Sequence, residues 1–146
     1  MMYAKNLQLD IIMNVNEIMT AKVITIGMDD TLGQIQKLFG KHKFHHVLIV
    51  EDAELIGIIS DRDILKEISP YINTLSEDFR ARKTLTKKAH QIMTRNPITV
   101  EPDILVEDAA SIMLTKNISC LPVVSSSGKM EGILSLKDIL NFYIQR

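Results

Sequence analysis

The chain has 146 residues, of which 46% are hydrophobic and 24% are charged, and its formal net charge is −1 at pH 7. This composition is typical of one compact globular domain, and the nearly neutral charge gives no electrostatic reason to expect a nucleic acid or an anionic membrane as a partner. The single cysteine, Cys120, cannot form an internal disulfide, and no apolar run is long enough to cross a bilayer.

Residues 1–13 form an N-terminal extension with an unusual composition. They lack the basic start and apolar core of a secretion signal, so the sequence predicts a cytoplasmic protein. Leu7, Leu9, Ile11 and Ile12 make the stretch too apolar for a solvated tail. One interpretation is that the extension covers a neighbouring surface, and its role stays open.

Residues 14–69 begin with a strand and a helix. A short strand over 23–26 precedes a helix that starts behind the polar residues 29–31. The apolar residues of this helix recur at helical spacing and predict one buried face. They are Leu32, Ile35, Leu38 and Phe39.

A pair of strands and a second helix complete this first unit. The β-rich runs 44–50 and 55–59 are separated by a turn, which predicts a hairpin or two neighbouring strands. Ser60 then opens a helix with several apolar positions. Those predicted to face the core are Ile64, Leu65 and Ile68.

Residues 70–86 read as a linker, with Pro70, Asn73 and Ser76 in its first half. The stretch from residue 80 to residue 88 is basic and contains no acidic residue. Such a charge run is usually a solvated face, which is the interpretation we favour. The alternative is a basic lip beside an anion site.

Residues 87–146 repeat the order strand, helix, strand, strand, helix. The strands are predicted over 97–100, 118–124 and 130–134, and Ser135 opens the last helix. The helical residues predicted to face the core are Val106, Ala109, Ile112 and Met113, followed by Ile139, Leu140, Tyr143 and Ile144.

The two halves are copies of one another. Residues 57–65 return as residues 132–140 at an offset of 75 (135 − 60), and upstream matches keep an offset of 74 (93 − 19). The extra residue falls in a turn between two strands, where a change of length is tolerated. Two repeats of this size are marginal alone, so we expect them to fold as a pair.

Three motifs occur twice, in the same order. They are Ile-Met-Thr at 18–20 and 92–94, an apolar strand at 45–50 and 119–124, and Gly-h-h-Ser-x-x-Asp, where h is an apolar residue, at 57–63 and 132–138. With these motifs the chain resembles a tandem pair of cystathionine-β-synthase (CBS) domains, also called a Bateman module. The resemblance covers about residues 14–69 and 87–146.

The resemblance implies an α/β (α+β) fold in which two repeats pack with pseudo-twofold symmetry and leave two clefts. It implies a regulatory module and not an enzyme, with AMP, ADP or ATP as ligand and no catalytic cofactor. It also implies a homodimer, or action in trans on an unknown target protein. The alternatives are an S-adenosylmethionine sensor, a structural interaction protein with vestigial clefts and, more remotely, a small enzyme that uses Asp61 or Asp63 with a histidine.

In that family the Ser/Thr-x-x-Asp element contacts ribose through its aspartate, here Asp63 and Asp138, with Ser60 and Ser135 nearby. A carboxylate suits this task because it accepts charge-assisted hydrogen bonds from both ribose hydroxyls. The structural alternative is a capping box, in which serine and aspartate satisfy only backbone donors at a helix start. The Ser-x-x-Asp element occurs twice, each time with a cation between the serine and the aspartate. We therefore favour ligand contact over a role in capping alone.

Cations and histidines accompany these motifs. Arg62 and Lys137 stand beside helix starts that favour anions, and the arginine leads us to expect more highly phosphorylated ligands in its cleft. Adjacent residues on a strand point to opposite faces, so His45 and His46 are not expected to share a metal ion. Cys120 is expected to be a small buried hydrophobe. The residues predicted to bind nucleotide are Thr20, His45, His46, Ser60, Asp61, Arg62, Asp63, Thr94, Ser119, Cys120, Ser135, Lys137 and Asp138.

Overall fold

A computed structural model describes residues 12–145 of the protein. The expected extension over residues 1–13 therefore lies, except for its last two residues, outside the described residues. The elements, in chain order, are β1 (Thr25–Ile26), α1 (Leu32–Lys41), β2 (His46–Glu51), β3 (Glu54–Ser60), α2 (Asp61–Glu67), α3 (Phe79–Lys83), α4 (Ala89–Ile92), β4 (Thr94–Arg95), α5 (Val106–Lys116), β5 (Cys120–Val124), β6 (Met130–Ser135) and α6 (Leu136–Ile144). No helix in this part of the chain is long and apolar enough to span a membrane.

Two antiparallel hairpins form the centres of two sheets. In the first sheet, β2 pairs with β3, and the order is β1-β2-β3-β4 with β1 parallel and β4 antiparallel to its neighbour. In the second sheet, β5 pairs with β6. Single bridges from Val100 to Val123 and from Thr20 to Ile133 stand where β1 and β4 stand in the first sheet. The predicted hairpins and the fold of two α/β repeats are confirmed.

The prediction of a strand over residues 97–100 is wrong, because Val100 alone among them forms a β-bridge to another strand. Its N–H donates to the Pro122 carbonyl at 3.1 Å, and its carbonyl accepts from Val124 at 2.9 Å. In the first repeat the corresponding ladder continues, because Leu48 donates to the Ile24 carbonyl at 3.3 Å. Pro122 occupies the position of Leu48 and has no N–H to donate, so the second ladder stops there.

Each repeat core contains a segment from the other half of the chain. Residues 13–20 pack on the second repeat, where Val15 is fully buried and donates to the Ile104 carbonyl at 2.9 Å. Residues 87–95 pack on the first repeat, where Ala89 is fully buried. We name these two stretches the crossing segments. Each of the two cores is therefore completed by residues from the other half of the chain.

A glycine in each sheet admits the crossing segment. A Cβ atom on Gly132 would lie 2.6 Å from the Thr20 carbonyl oxygen and 2.9 Å from the Met19 sulfur. A Cβ atom on Gly57 would overlap the Met93 side chain. The glycine of each Gly-h-h-Ser motif is therefore required by close packing in the middle of a strand.

The helices α2 and α6 bury fewer residues than the sequence predicted. Ile64 and Ile139 are each 4% exposed and join the cores, and Ile68 is half-buried. The residues expected in the core but found exposed are Leu65 (77%), Leu140 (53%), Tyr143 (38%) and Ile144 (77%). For Leu65 and Leu140 the physical reason is that neighbouring helical residues point about 100° apart, so the residue after a buried one faces away from the core. At the end of α6, Phe142, three residues after Ile139, packs against the core, and Tyr143 and Ile144 lie outside it.

The linker is partly helical. The Asp78 carboxylate caps α3 by accepting the Ala81 N–H at 2.8 Å, and Ala81 is buried. A 3₁₀ turn at Thr84–Thr86 follows and contacts α1. The linker over residues 70–86 therefore packs on the first repeat instead of crossing solvent.

The basic run of the linker is largely exposed, as the favoured interpretation predicted. Its exposed cations are Arg80, Arg82, Lys83 and Lys88. Lys87 is bonded to Glu67 at 2.7 Å, and the Lys88 amine lies 3.5 Å from Asp29. These two lysines therefore stabilise the junction of the linker with the first repeat.

Candidate functional site

Both Ser-x-x-Asp elements form capping boxes at helix starts. At α2, the Ser60 N–H donates to Asp63 Oδ2 at 2.8 Å, and the Asp63 N–H donates to Ser60 Oγ at 3.1 Å. At α6, the corresponding distances between Ser135 and Asp138 are 2.9 and 3.2 Å. The capping role that the sequence allowed is therefore present twice.

The capping boxes leave one oxygen of each aspartate available. Asp63 and Asp138 use only Oδ2, and within the described chain Oδ1 of neither makes a hydrogen bond. Both side chains are half-buried. Each Oδ1 carries two acceptor sites, so it can receive the hydroxyls of a ribose while the helix cap stays intact.

The hairpins bring the expected strand residues next to these helix starts. His46 pairs with Ser60, and Cys120 pairs with Ser135 at the same position of the second hairpin. Directly paired residues share one face of a sheet. This face is opposite to the one that carries the core residue Ile59. Of the two histidines at the strand start, His46 therefore lies on the face of the Ser-x-x-Asp element.

The helix starts offer fewer free amides to an anion than expected. The first amide of α2, that of Asp61, donates to the His45 carbonyl at 2.9 Å, and the third, that of Asp63, is bonded to Ser60. The same two amides are occupied at α6. Of the first three amides in each helix, only the second lacks an acceptor among the described residues. It belongs to Arg62 or Lys137, so an anion there depends mainly on these side chains.

Each candidate site combines residues of both repeats. Thr20 exchanges two backbone hydrogen bonds of 2.9 Å with Ile133, two residues before Ser135. Thr94 pairs with Ile58, two residues before Ser60. Each threonine therefore lies beside the helix start of the other repeat, which the sequence motifs did not reveal. The mid-strand glycines were the available signal, because they mark a close approach of another backbone.

We name the two groups of predicted residues, one at each helix start, the first cleft and the second cleft. The first cleft consists of His45, His46, Ser60, Asp61, Arg62, Asp63 and Thr94. The second cleft consists of Ser119, Cys120, Ser135, Leu136, Lys137, Asp138 and Thr20. The predicted nucleotide-binding residues thus fall into two groups of related geometry, and Leu136 joins them as the counterpart of Asp61.

A contact between a histidine and a carboxylate distinguishes the first cleft. His45 Nδ1 lies 2.8 Å from Asp61 Oδ2, with the His45 side chain 75% exposed. At the corresponding positions the second cleft has Ser119 and Leu136, which cannot pair in this way. Because the pair is exposed, it contributes little to stability.

Burial shifts the pKa of one side chain in each cleft, in opposite directions. Burial lowers the pKa of His46, while Asp61 and Asp63 raise it and His45 lowers it further, and the effect of burial prevails. Burial, together with Asp138, raises the pKa of the Cys120 thiol to about 12. Cys120 is therefore a protonated, buried side chain, which confirms its predicted character as a small hydrophobe.

An open cavity of about 310 Å³ lies along α1, away from both clefts. None of the residues predicted to bind nucleotide lines it, and no sequence motif indicated it. The lining residues are Ile26, Asp30, Gln34, Ile35, Lys37, Leu38 and Lys41. Between residues 12 and 145, no three His, Cys, Asp or Glu side chains are grouped to hold a metal ion.

Comparison with known proteins agrees with this architecture. The family model for the CBS domain matches residues 15–70 and 89–145. A CBS domain-containing protein of Dictyostelium discoideum is 34% identical over 133 residues, which cover 90% of this chain and 91% of that protein.

Two solved structures share the fold. The CBS domain pair of protein MJ0100, in complex with 5′-methylthioadenosine and S-adenosyl-L-methionine, has a TM-score of 0.75 and 30% identity, covering 92% of this chain and 98% of that one. CBSX2 in complex with AMP has a TM-score of 0.74 and 27% identity, covering 90% and 96%. The chain, with its two repeats, belongs to the CBS domain family.

Proposed function

We propose that the protein is a regulatory module that binds an adenine nucleotide in its two clefts. The observation that carries this proposal is the unused Oδ1 of Asp63 and of Asp138, each held beside a cation by a capping box. The geometry suits a ribose hydroxyl pair next to a phosphate. MJ0100 in complex with adenosine derivatives and CBSX2 in complex with AMP support an adenine ligand.

Occupancy of a cleft can be transmitted because each cleft spans both repeats. A ligand that contacts Asp138 also lies beside Thr20, which belongs to the crossing segment from the first half of the chain. Binding would therefore change the relative stability of the two repeat cores. We propose that the protein passes this change to a target protein in trans, or to a second copy of itself.

The phosphate part of this proposal gives a direct test. We expect AMP to bind more tightly than adenosine, and added salt to weaken AMP more than adenosine, because Arg62 and Lys137 are exposed. Calorimetry at low and high salt measures both effects. Arg62→Ala and Lys137→Ala are expected to reduce the preference for AMP in their own clefts.

The matched control is Lys129→Ala, which removes an exposed cation from the turn between β5 and β6. It is expected to leave the binding of AMP and adenosine unchanged. Equal affinity of the parent protein for adenosine and AMP would contradict phosphate recognition. Absence of any effect of adenine ligands on binding or melting would favour a structural interaction protein with vestigial clefts.

S-adenosylmethionine is the second candidate ligand, and one observation favours it. The first cleft places two carboxylates, Asp61 and Asp63, within one helical turn, which suits a ligand with a sulfonium cation. A calorimetric comparison of S-adenosylmethionine with AMP decides between them. If S-adenosylmethionine binds more tightly than AMP in both clefts, S-adenosylmethionine and not a nucleotide is the ligand.

We also propose a homodimer formed through α2 and α6. Leu65, Leu140 and Ile144 expose 77%, 53% and 77% of their surface on these helices, more than a solvated helix face requires. Sedimentation at micromolar concentration is expected to show a dimer, and Leu65→Glu with Leu140→Glu is expected to shift it to a monomer. Leu114→Glu is the control, because Leu114 is 82% exposed on α5. A monomeric parent protein, with and without AMP, would contradict the proposal.

A further inference from the structure

The two clefts carry different charges at corresponding positions. The first cleft has one guanidinium, Arg62, and two carboxylates, Asp61 and Asp63, whose formal charges sum to −1, and a protonated His46 would raise this sum to 0. In the second cleft, one ammonium, that of Lys137, balances one carboxylate, and the sum is 0. The Cys120 thiol does not change this sum, because its pKa is raised to about 12.

The histidines of the first cleft are placed to act on a bound ligand. His46 lies half-buried on the sheet face of Ser60, and His45 contacts Asp61 at 2.8 Å. An imidazole on this face is within the same cluster as the carboxylate expected to hold ribose. Protonation there therefore adds positive charge where the rest of a nucleotide must pass.

In the described chain, the titratable groups that act on His46 come from α2 and the start of β2. α2 contributes the carboxylates of Asp61 and Asp63, and His45 adjoins it on β2. On β4 the residue on this face is Thr94, which pairs with Ile58, whereas Arg95 pairs with Gly57 on the opposite face and its Nη2 donates to the His90 carbonyl at 3.3 Å. Because burial lowers the pKa of His46, this side chain adds no positive charge to the cleft at neutral pH.

We propose that protonation of His46 controls anion binding in the first cleft, which binds phosphorylated adenine ligands weakly at neutral pH and more tightly at mildly acidic pH. The second cleft has Cys120 in place of His46 and contains no histidine, and it binds such ligands at both values. The inference rests on the proposed function and deepens it. At neutral pH it reverses the preference that Arg62 alone led us to expect.

Proton linkage makes the inference measurable. An anion beside a neutral imidazole favours its protonated form, so binding in the first cleft must take up protons. One pKa unit of stabilisation changes the affinity about tenfold. We therefore expect the affinity of the first cleft for AMP to rise about tenfold more than that of the second cleft between about pH 7.5 and 5.5.

The experiment uses calorimetry with AMP on the full chain at both pH values. Asp138→Ala isolates the first cleft, and Asp63→Ala isolates the second. The second cleft also serves as the control for titration of the AMP phosphate itself. Proton uptake is obtained by repeating each titration in buffers of different ionisation enthalpy.

The variant His46→Gln, like the double variant His45→Gln with His46→Gln, is expected to lose the extra pH dependence of the first cleft. His42→Gln is the matched control, because His42 is exposed, lies outside the cleft and stacks on Phe44 with ring centroids 5.5 Å apart. Circular dichroism confirms that each variant is folded. Unchanged pH dependence in His42→Gln together with a flattened response in the double variant supports the inference.

Equal pH dependence of AMP affinity in the two clefts would overturn the inference and leave the proposed function standing. Persistence of the extra dependence in the double histidine variant would also overturn it. If the parent protein binds AMP in neither cleft at either pH, the proposed function fails and the inference fails with it. These results are distinguishable in a single set of titrations.

Discussion

Asp63→Ala is expected to weaken AMP binding in the first cleft by about tenfold to a hundredfold, and Asp138→Ala to weaken it equally in the second. The reason is the loss of hydrogen bonds from ribose to a charged acceptor, each of which contributes about 1.5–3 kcal/mol. The lost hydrogen bonds are those that Oδ1 would accept from ribose, because neither capping box uses this oxygen. Calorimetry at the pH of tightest binding in each cleft measures it.

The control must separate ribose binding from helix capping. Asp78 caps α3 through the Ala81 N–H at 2.8 Å and lies in the linker, outside both clefts. Removing any of these caps costs about 1 kcal/mol of stability. Asp78→Ala is therefore expected to lower the melting temperature without changing AMP affinity. Parent-like AMP binding by the double variant Asp63→Ala with Asp138→Ala would show that the sites are wrongly assigned.

Gly132→Ala is expected to reduce the free energy of unfolding by about 1–3 kcal/mol, the usual cost of overpacking a core. The added methyl group would lie 2.6 Å from the Thr20 carbonyl oxygen, and a backbone atom in a sheet cannot move aside cheaply. Denaturant unfolding monitored by circular dichroism measures the loss. Displacement of Thr20 is also expected to weaken AMP binding in the second cleft.

Two other glycines provide the controls for this prediction. Gly57→Ala meets the flexible Met93 side chain, so its loss of stability is expected to be smaller than that of Gly132→Ala. Gly40→Ala is expected to gain about 0.5–1 kcal/mol, because Gly40 lies within α1 with open space around its Cα. A Gly132→Ala variant as stable as the parent protein would contradict the close approach of the crossing segment.

The local elements were predictable because their signals are local. The spacing of Ser60 and Ser135 to an aspartate predicts a helix start, and both capping boxes are present. The strand predicted over residues 97–100 failed because its outcome depended on a distant residue. Pro122, in the facing strand, removes the N–H that would have extended the ladder.

The sequence predicted the candidate residues and two clefts, but it did not predict which cleft each threonine would join. The repeat placed the histidines, Cys120 and the Ser-x-x-Asp elements at equivalent positions, and hairpin pairing brought them together as expected. The assignment of Thr20 and Thr94 to clefts required knowledge of the crossing segments. A motif records the order of residues, whereas the partner of a strand edge depends on which chain segment reaches it.

The sequence by itself determined the repeat, its order of helices and strands, and the residue types that suit ribose and phosphate, because periodicity and capping act over a few neighbouring residues. The tertiary structure alone decided that Leu65 and Leu140 are exposed, that each crossing segment joins the other core, and that burial lowers the pKa of His46. These properties depend on which surfaces the two repeats remove from water, and that is set by contacts between residues far apart in the chain.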